Sequence, residues 1–175
     1  MRRHYRSAAP ASEPLDTDAV KLHLRVEHAA DDALIESLVV AAREQAEAYT
    51  GRALISQQWT LYDDAPSNPL TIPRWPVLSI VSVTDADVPT TAYTEYLGDD
   101  AMLIPNSAWS GAVQVIYTAG YAVVPVAIQQ WMLLQIGQWY EQREAVAAGI
   151  QVTRMPFVDA LLSPYRIHLL GLGLS

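Results

Sequence analysis

The chain has 175 residues, of which 51% are hydrophobic and 17% are charged, and it contains no cysteine. This length fits one ordinary domain with its own core, and the composition excludes a wholly disordered chain. The lack of cysteine excludes disulfides, thiolate zinc sites and cysteine nucleophiles. No apolar run reaches the ~20 residues of a membrane span, and the basic N-terminus lacks the apolar core of a signal peptide. A soluble, unexported protein is therefore expected.

The charge is unevenly distributed along the chain. Arg2, Arg3 and Arg6 give the N-terminus a charge of +3, and residues 154–175 carry +1. The residues between them carry −12, which brings the net charge of the chain to −8. An acidic body argues against tight, sequence-specific DNA binding, because phosphate neutralisation supplies most of that affinity. It suits a surface that DNA passes without sticking, although solubility is the simpler explanation.

The first 26 residues predict an arm and a short helix. Residues 1–14 are rich in Arg, Ala, Ser and Pro without periodicity, which predicts a flexible basic arm. This arm either contacts nucleic acid or an acidic partner, or has no function. Residues 16–26 predict a short helix with Asp16 or Thr17 as its N-cap, although their alternating apolar residues leave a strand open.

The stretch from Asp31 to Gly51 predicts the central amphipathic helix of the chain. Its apolar residues recur at intervals of three and four, the period of a helix face: Leu34, Ile35, Leu38, Val39, Ala42, Ala46 and Tyr49. Asp31 or Asp32 is expected to cap its start, and Gly51 to end it. The opposite face is expected to be solvated because it carries charged residues: Glu36, Arg43, Glu44 and Glu47.

Between about residues 53 and 118 the pattern changes to short strands separated by turns. Predicted strands are Ile55–Tyr62, Leu70–Ile72, Val77–Val83, Tyr93–Leu97, Met102–Ile104 and Val113–Tyr117. Gly98-Asp99-Asp100 predicts a hairpin between two of them. These strands predict a small antiparallel sheet or barrel inserted between helices.

A second long helix and an apolar tail complete the chain. Pro125 is expected to open a helix that runs to about residue 147, with Gly149 ending it. Residues 150–175 are interrupted by prolines and glycines but remain apolar, which is typical of a segment that docks on a surface. The predicted division is thus an arm over 1–14, one domain over 15–149 and a docking tail over 150–175.

No constellation of residues predicts catalysis, a metal site or a cofactor. His23 and His28 are five residues apart, which places them on different faces of a helix, and no metal-binding histidine spacing is present. The paired aspartates stand beside turn residues and lack the spacing of a calcium loop. No phosphate-binding glycine loop or nucleophile motif is present either, so an enzyme is not expected. Trp131, Trp139 and Tyr140 are expected to be core or subunit-interface anchors rather than base-stacking platforms.

An ordered set of short motifs resembles the head–tail connector proteins (also called adaptor or head-completion proteins) of tailed bacteriophages and gene-transfer particles. The resemblance runs from about Leu15 to Arg166 and rests on the following segments: Tyr49–Arg52, Ile55–Tyr62, Pro73–Val77, Ser79–Val83, Val115–Tyr117, Ala119–Tyr121, Val124-Pro125, Tyr140–Glu144 and Leu161–Arg166. Residues 167–175 and the arginine-rich start lie outside the pattern.

This resemblance implies a structural role in the virion neck after assembly in the host cytoplasm. Members of the family form a ring, typically of twelve copies, that binds the portal protein, extends the DNA channel and carries a tail-side partner. The C-terminal segment commonly reaches the portal, and in this chain that role falls on Pro156, Phe157, Val158, Leu161, Leu162, Pro164, Tyr165 and Arg166. Tyr and Arg are also favoured interface anchors.

The expected fold is therefore α+β, with one short and two long helices, an inserted antiparallel sheet or barrel and an extended tail. The leading hypothesis is the connector ring. A second hypothesis is another neck or tail-completion protein of the virion. Only the identity of the binding partner distinguishes this hypothesis from the connector ring. A third, a small ligand-binding domain or enzyme built on the β insertion, predicts a monomer with a concave polar pocket.

Overall fold

The computed structural model describes residues 1–147 and 160–167. Within these residues, three helices and eight strands follow one another in the order β1 (Arg2–Ala8), α1 (Thr17–Leu24), α2 (Asp32–Thr50), β2 (Gln57–Asp63), β3 (Leu70–Thr71), β4 (Val77–Asp85), β5 (Val88–Pro89), β6 (Tyr93–Tyr96), β7 (Met102–Pro105), β8 (Val113–Ala119) and α3 (Val126–Ala147). A short 3₁₀ turn, Ser163–Tyr165, lies in the C-terminal segment. The predicted α+β class is confirmed.

The chain divides into two compact units. A β unit contains Met1–Ser12 and Arg52–Val123, and a helical unit contains Glu13–Gly51 and the chain from Val124 onward. The β insertion therefore has its own core, and it also includes the N-terminal residues.

The β unit contains two antiparallel sheets in place of a barrel. The larger sheet has the strand order β1-β2-β8-β4-β5, and the smaller one has the order β3-β7-β6. Strand β8 lies at the centre and shows a strict alternation, with Val113, Val115, Tyr117 and Ala119 buried and the residues between them partly exposed. This period of two buries one face of the sheet and leaves the other face near solvent. The predicted hairpin is confirmed, since β6 and β7 pair across Gly98 and its neighbours.

Strand β1 corrects the prediction of a flexible arm over residues 1–14. Arg2 to Ala8 pair with β2 in antiparallel register, with Arg3 opposite Tyr62 and Arg6 opposite Trp59. The strand lacks apolar alternation because its inward side chains are Arg2 and His4, which are held by polar and stacking contacts instead. Sequence periodicity cannot detect such a strand.

In the helical unit, α2 packs against α1 and α3. Asp16 caps α1 by accepting a hydrogen bond from the Ala19 amide at 2.6 Å. Gly51 ends α2 as predicted, with a φ of 76°. The predicted aspartate cap of α2 is wrong, since its N-cap residue Asp31 makes no capping bond and accepts a hydrogen bond from the Tyr140 hydroxyl instead.

Arg43 and Glu47 correct the prediction that one face of α2 is uniformly solvated. Both side chains are buried, whereas Glu36 and Glu44 are exposed. Arg43 is bonded to Glu13 at 2.7 Å and to Glu47 at 3.1 Å. Burial alone would lower the pKa of Arg43, but the hydrogen bond to Glu13 and the charges of Glu47, Glu13 and Glu44 raise it above its usual value. The charged pair is therefore part of the core.

Candidate assembly surfaces

The described part of the C-terminal tail packs on the end of α2. Leu162 is fully buried, and the Ile167 amide donates a hydrogen bond to the Thr50 carbonyl at 2.7 Å. The Arg166 guanidinium lies over the Tyr49 ring, 5.4 Å from its centroid. Pro164 and Arg166 are exposed, whereas Leu161 and Tyr165 are half-buried. Of the predicted docking residues, Pro156, Phe157 and Val158 lie outside the described residues.

The three aromatic anchors predicted on α3 have different environments. Trp131 is 1% exposed and belongs to the core of the helical unit. Trp139 and Tyr140 are half-buried, and the Tyr140 hydroxyl is held by Asp31. Trp131 is thus a core anchor, whereas Trp139 retains surface that another protein could contact.

Several large apolar side chains of the helical unit face solvent. Leu22 on α1 is 82% exposed and Val126 at the start of α3 is 70% exposed. Leu34 and Val40 on α2 and Leu134 on α3 are exposed to a smaller degree. Leu34 was predicted to be in the core, but it lies at the margin of the buried face. Exposed apolar side chains that are scattered singly are ordinary, and only a contiguous patch of them would indicate a surface that a partner covers.

The β unit exposes a second group of apolar side chains. Leu78 and Val81 project from β4, and the backbone pairing of Val77 with Gly98 brings Leu97 next to Leu78. Tyr96 on β6 and Ile104 on β7 are also exposed. Sequence alternation predicted β4 correctly but could not indicate which face of it is covered.

Two shallow hollows flank Trp109 at one end of the β unit, with volumes of about 370 Å³ and 390 Å³. The Trp109 indole donates to the Ser67 carbonyl at 3.2 Å. The Asp85 carboxylate accepts hydrogen bonds from the amides of Ser110 and Gly111 at 2.8–3.0 Å, and these bonds lower its pKa. Asp85 therefore fixes the conformation of this loop.

His4 anchors β1 to the body of the β unit. Its ring stacks on Trp59 with centroids 4.8 Å apart, and its Nε2 lies 2.7 Å from the Tyr117 hydroxyl. Burial, together with the positive charges of Arg74 and Arg2, lowers the pKa of His4 from 6.5 to about 3. Burial also raises the pKa of Tyr117. His4 is therefore neutral in the folded protein at neutral and mildly acidic pH.

We expect this histidine to make the stability of the protein pH-dependent. Between about pH 6.5 and 3, the unfolded chain takes up a proton at His4 that the folded chain does not, so the free energy of unfolding falls as the pH is lowered. The loss is up to ~1.4 kcal/mol per pH unit. Urea unfolding at pH 7, 6 and 5 should show this slope, and His4→Phe, which retains an aromatic ring, should reduce it. An unchanged slope in His4→Phe would contradict the assignment.

Among the described residues, no group of three or more metal-ligating side chains comes together. Within the same residues, no helix is long and apolar enough to cross a membrane.

A family model matches part of the chain. Residues 16–91 match the family model described as Phage gp6-like head-tail connector protein. No curated protein sequence matches the chain. The resemblance to head–tail connector proteins is thereby confirmed. This is a class of structural virion proteins and not a class of enzymes.

Solved structures give the fold over nearly the whole chain. A chain from the neck of an empty gene transfer agent particle computed with C6 symmetry is 24% identical, with a TM-score of 0.79 over 97% of this chain and 98% of that chain. A chain from the virion of a native gene transfer agent particle is 25% identical, with a TM-score of 0.78 over 96% and 97%. A third, from the neck of a native particle computed with C12 symmetry, is 23% identical, with a TM-score of 0.69 over 94% and 97%.

Proposed function

We propose that this protein forms a ring of twelve copies beneath the portal, where it joins the capsid to the tail and extends the DNA channel in the virion neck. The observation that carries the proposal is the shared fold with gene transfer agent neck chains over at least 94% of this chain. A neck computed with C12 symmetry supports the number twelve. Sixfold symmetry is compatible with it, because twelve copies then form six pairs.

The distribution of exposed apolar side chains supports a ring. A closed ring with one type of contact uses two different faces of each copy, one for each neighbour. This chain has exposed apolar groups on its helices, including Leu22 and Val126, and others on its sheets, including Val81 and Tyr96. Assembly would bury such groups and thereby stabilise the ring.

The net charge of −8 supports a channel that DNA traverses. Acidic side chains near DNA do not neutralise phosphates, so they do not hold the DNA in place. The protein would therefore guide DNA without sequence-specific contacts. Its remaining partners would be the portal, further copies of itself and a tail-side completion protein, with assembly in the cytoplasm of the bacterial host.

The proposed portal contact is the C-terminal tail. Pro164 and Arg166 are exposed on a segment whose neighbours, Leu162 and Ile167, fix it to the helical unit. Leu161 and Tyr165 would contribute partial surfaces to the same contact, and the proposed contact also includes Pro156, Phe157 and Val158, which lie outside the described residues. Leu162, also among the proposed docking residues, is buried in the isolated chain.

The direct test is native mass spectrometry and electron imaging of the full chain mixed with the portal ring encoded by the same genome. A stoichiometric ring of twelve copies on the portal is expected. Failure to bind the portal would overturn the proposal and favour another neck or tail-completion partner. Binding to the portal in a different ratio would overturn only the proposed number of twelve copies.

Substitutions in the tail should separate docking from folding. We expect Phe157→Ser with Val158→Ser to weaken portal binding by at least ~tenfold, because apolar anchors dominate interface energetics, while leaving the free energy of unfolding unchanged. Affinity to immobilised portal and urea unfolding measure the two effects. The matched control is Leu162→Ala, which should cost about 2–5 kcal/mol of stability because Leu162 is buried. Unaltered portal affinity in the double variant would refute the docking role.

A further inference from the structure

Strand β1 is separated along the chain from the sheet that it completes. It belongs to the β unit with residues up to Ser12, but the chain then passes through Glu13–Gly51 of the helical unit before it returns to the β unit at Arg52. Among the residues that the structure describes, β1 is also an edge strand whose one paired neighbour is β2. The covalent structure therefore does not require the β2 edge to be occupied by the same copy's own strand.

The β2 edge and its surroundings form a specific receptor for residues 1–8. Every second side chain of β1, at Arg2, His4 and Arg6, contacts specific residues of the β unit. The Arg2 guanidinium donates to the Thr71 carbonyl and lies 3.7 Å from the Asp63 carboxylate, His4 stacks on Trp59 and bonds to Tyr117, and Arg6 reaches Gln57 at 3.5 Å. The N-terminal ammonium also contacts the Asp64 carboxylate. Any copy of this chain presents the same receptor.

The linker after β1 is short; it contains Pro10, and Pro14 follows just after it. Ala9 to Ser12 join β1 to Glu13, whose carboxylate is fixed by Arg43 at 2.7 Å. The backbone bends at Ala11 and Ser12, between Pro10 and Pro14. Residues that precede proline favour extended backbone. In this segment the rule applies to Ala9 and Glu13, and the bend falls between them at Ala11 and Ser12.

We propose that β1 is an exchanged arm, such that in the assembled ring residues 1–8 of each copy occupy the β2 edge of a neighbouring copy. This inference rests on the proposed ring. Exchange preserves every contact of the strand, so it costs little once copies are adjacent, and it links each copy to the next. Four linker residues reach at most ~14 Å, so only an adjacent copy can receive the arm.

A pair of introduced cysteines tests the exchange, since the chain has none of its own. Arg3 and Tyr62 lie directly opposite each other across β1 and β2. Opposite residues of antiparallel strands are close enough for a disulfide. The variant Arg3→Cys/Tyr62→Cys is oxidised as the isolated chain and as the portal-bound ring, and both are separated without reductant. The matched control is Arg3→Cys/Gln58→Cys, whose residues are out of register.

Exchange predicts a ladder of covalent multimers from the oxidised ring and none from the control. A ring that yields only intrachain disulfides, or no disulfides, overturns the exchange while leaving the ring intact. Native mass of the same sample reports ring formation independently, and the absence of a ring overturns both the proposed function and the exchange.

Discussion

Replacing Gly120 with alanine is expected to destabilise the β unit by about 3 kcal/mol or more. Gly120 follows β8 with a φ of 148°, a conformation that L side chains rarely adopt. A Cβ atom there would lie 2.3 Å from the Ile55 carbonyl carbon and 2.4 Å from the Ser56 nitrogen. These are backbone atoms, so the clash is relieved only by moving the chain. The Gly120 amide also donates to the Pro76 carbonyl at 2.9 Å, which limits that movement.

Gly98→Ala is the matched control for this substitution. Gly98 also has a positive φ, 85°, but nothing lies within 4 Å of the position of its Cβ. Its replacement should therefore cost only backbone strain, about 1 kcal/mol. Urea unfolding monitored by tryptophan fluorescence compares the two variants. Equal losses of unfolding free energy in the two variants would show that the clash with the Ile55 backbone does not cause the destabilisation at Gly120.

Trp131→Ala is expected to cost about 3–5 kcal/mol and to prevent ring assembly through loss of the helical unit. Trp131 is among the largest fully buried side chains, and α3 also buries Ile128, Met132 and Ile136. Its removal would leave a large cavity among packed helices, which relax only partly. Circular dichroism during urea unfolding should show the loss directly.

Trp139→Ala separates core packing from surface contact. Trp139 lies on the same helix but is half-buried. We expect its replacement to cost less stability than Trp131→Ala, and any effect on ring formation to appear without unfolding. If both variants lost the same stability in the isolated chain, the distinction drawn between a core and a surface anchor would be wrong.

The helices were predictable because their signals are local. Asp16 caps α1, Gly51 ends α2, and apolar spacing marks the buried face through Ile35 and Val39. The burial of Arg43 and Glu47 was not predictable. A helical pattern shows which residues share a face, but it does not show that Glu13, 30 residues earlier in the chain, pairs with Arg43. Burial of a charge depends on such distant partners.

In the β unit, contacts between distant segments were even harder to predict from the sequence. Strand positions such as Val113–Ala119 followed from alternation, but the order β1-β2-β8-β4-β5 depends on pairings between segments far apart in the chain. Strand β1 was missed because Arg2 and His4 occupy positions where alternation leads one to expect apolar side chains. The docking residues were predicted from the family resemblance and from the apolar, proline-interrupted composition of the tail, and neither could show that Leu162 packs internally.

The two margins of the five-stranded sheet have a consequence for the time between synthesis and assembly. One margin carries β1 with its arginines. The other carries the two-residue strand β5 beside β4, and the pairing of β4 with β8 shifts register between Val77 and Ser79 and between Ile80 and Ser82. Charged, short and irregular margins resist indiscriminate strand addition. Copies of the protein should therefore remain dispersed at high concentration instead of growing into fibres through their sheet margins.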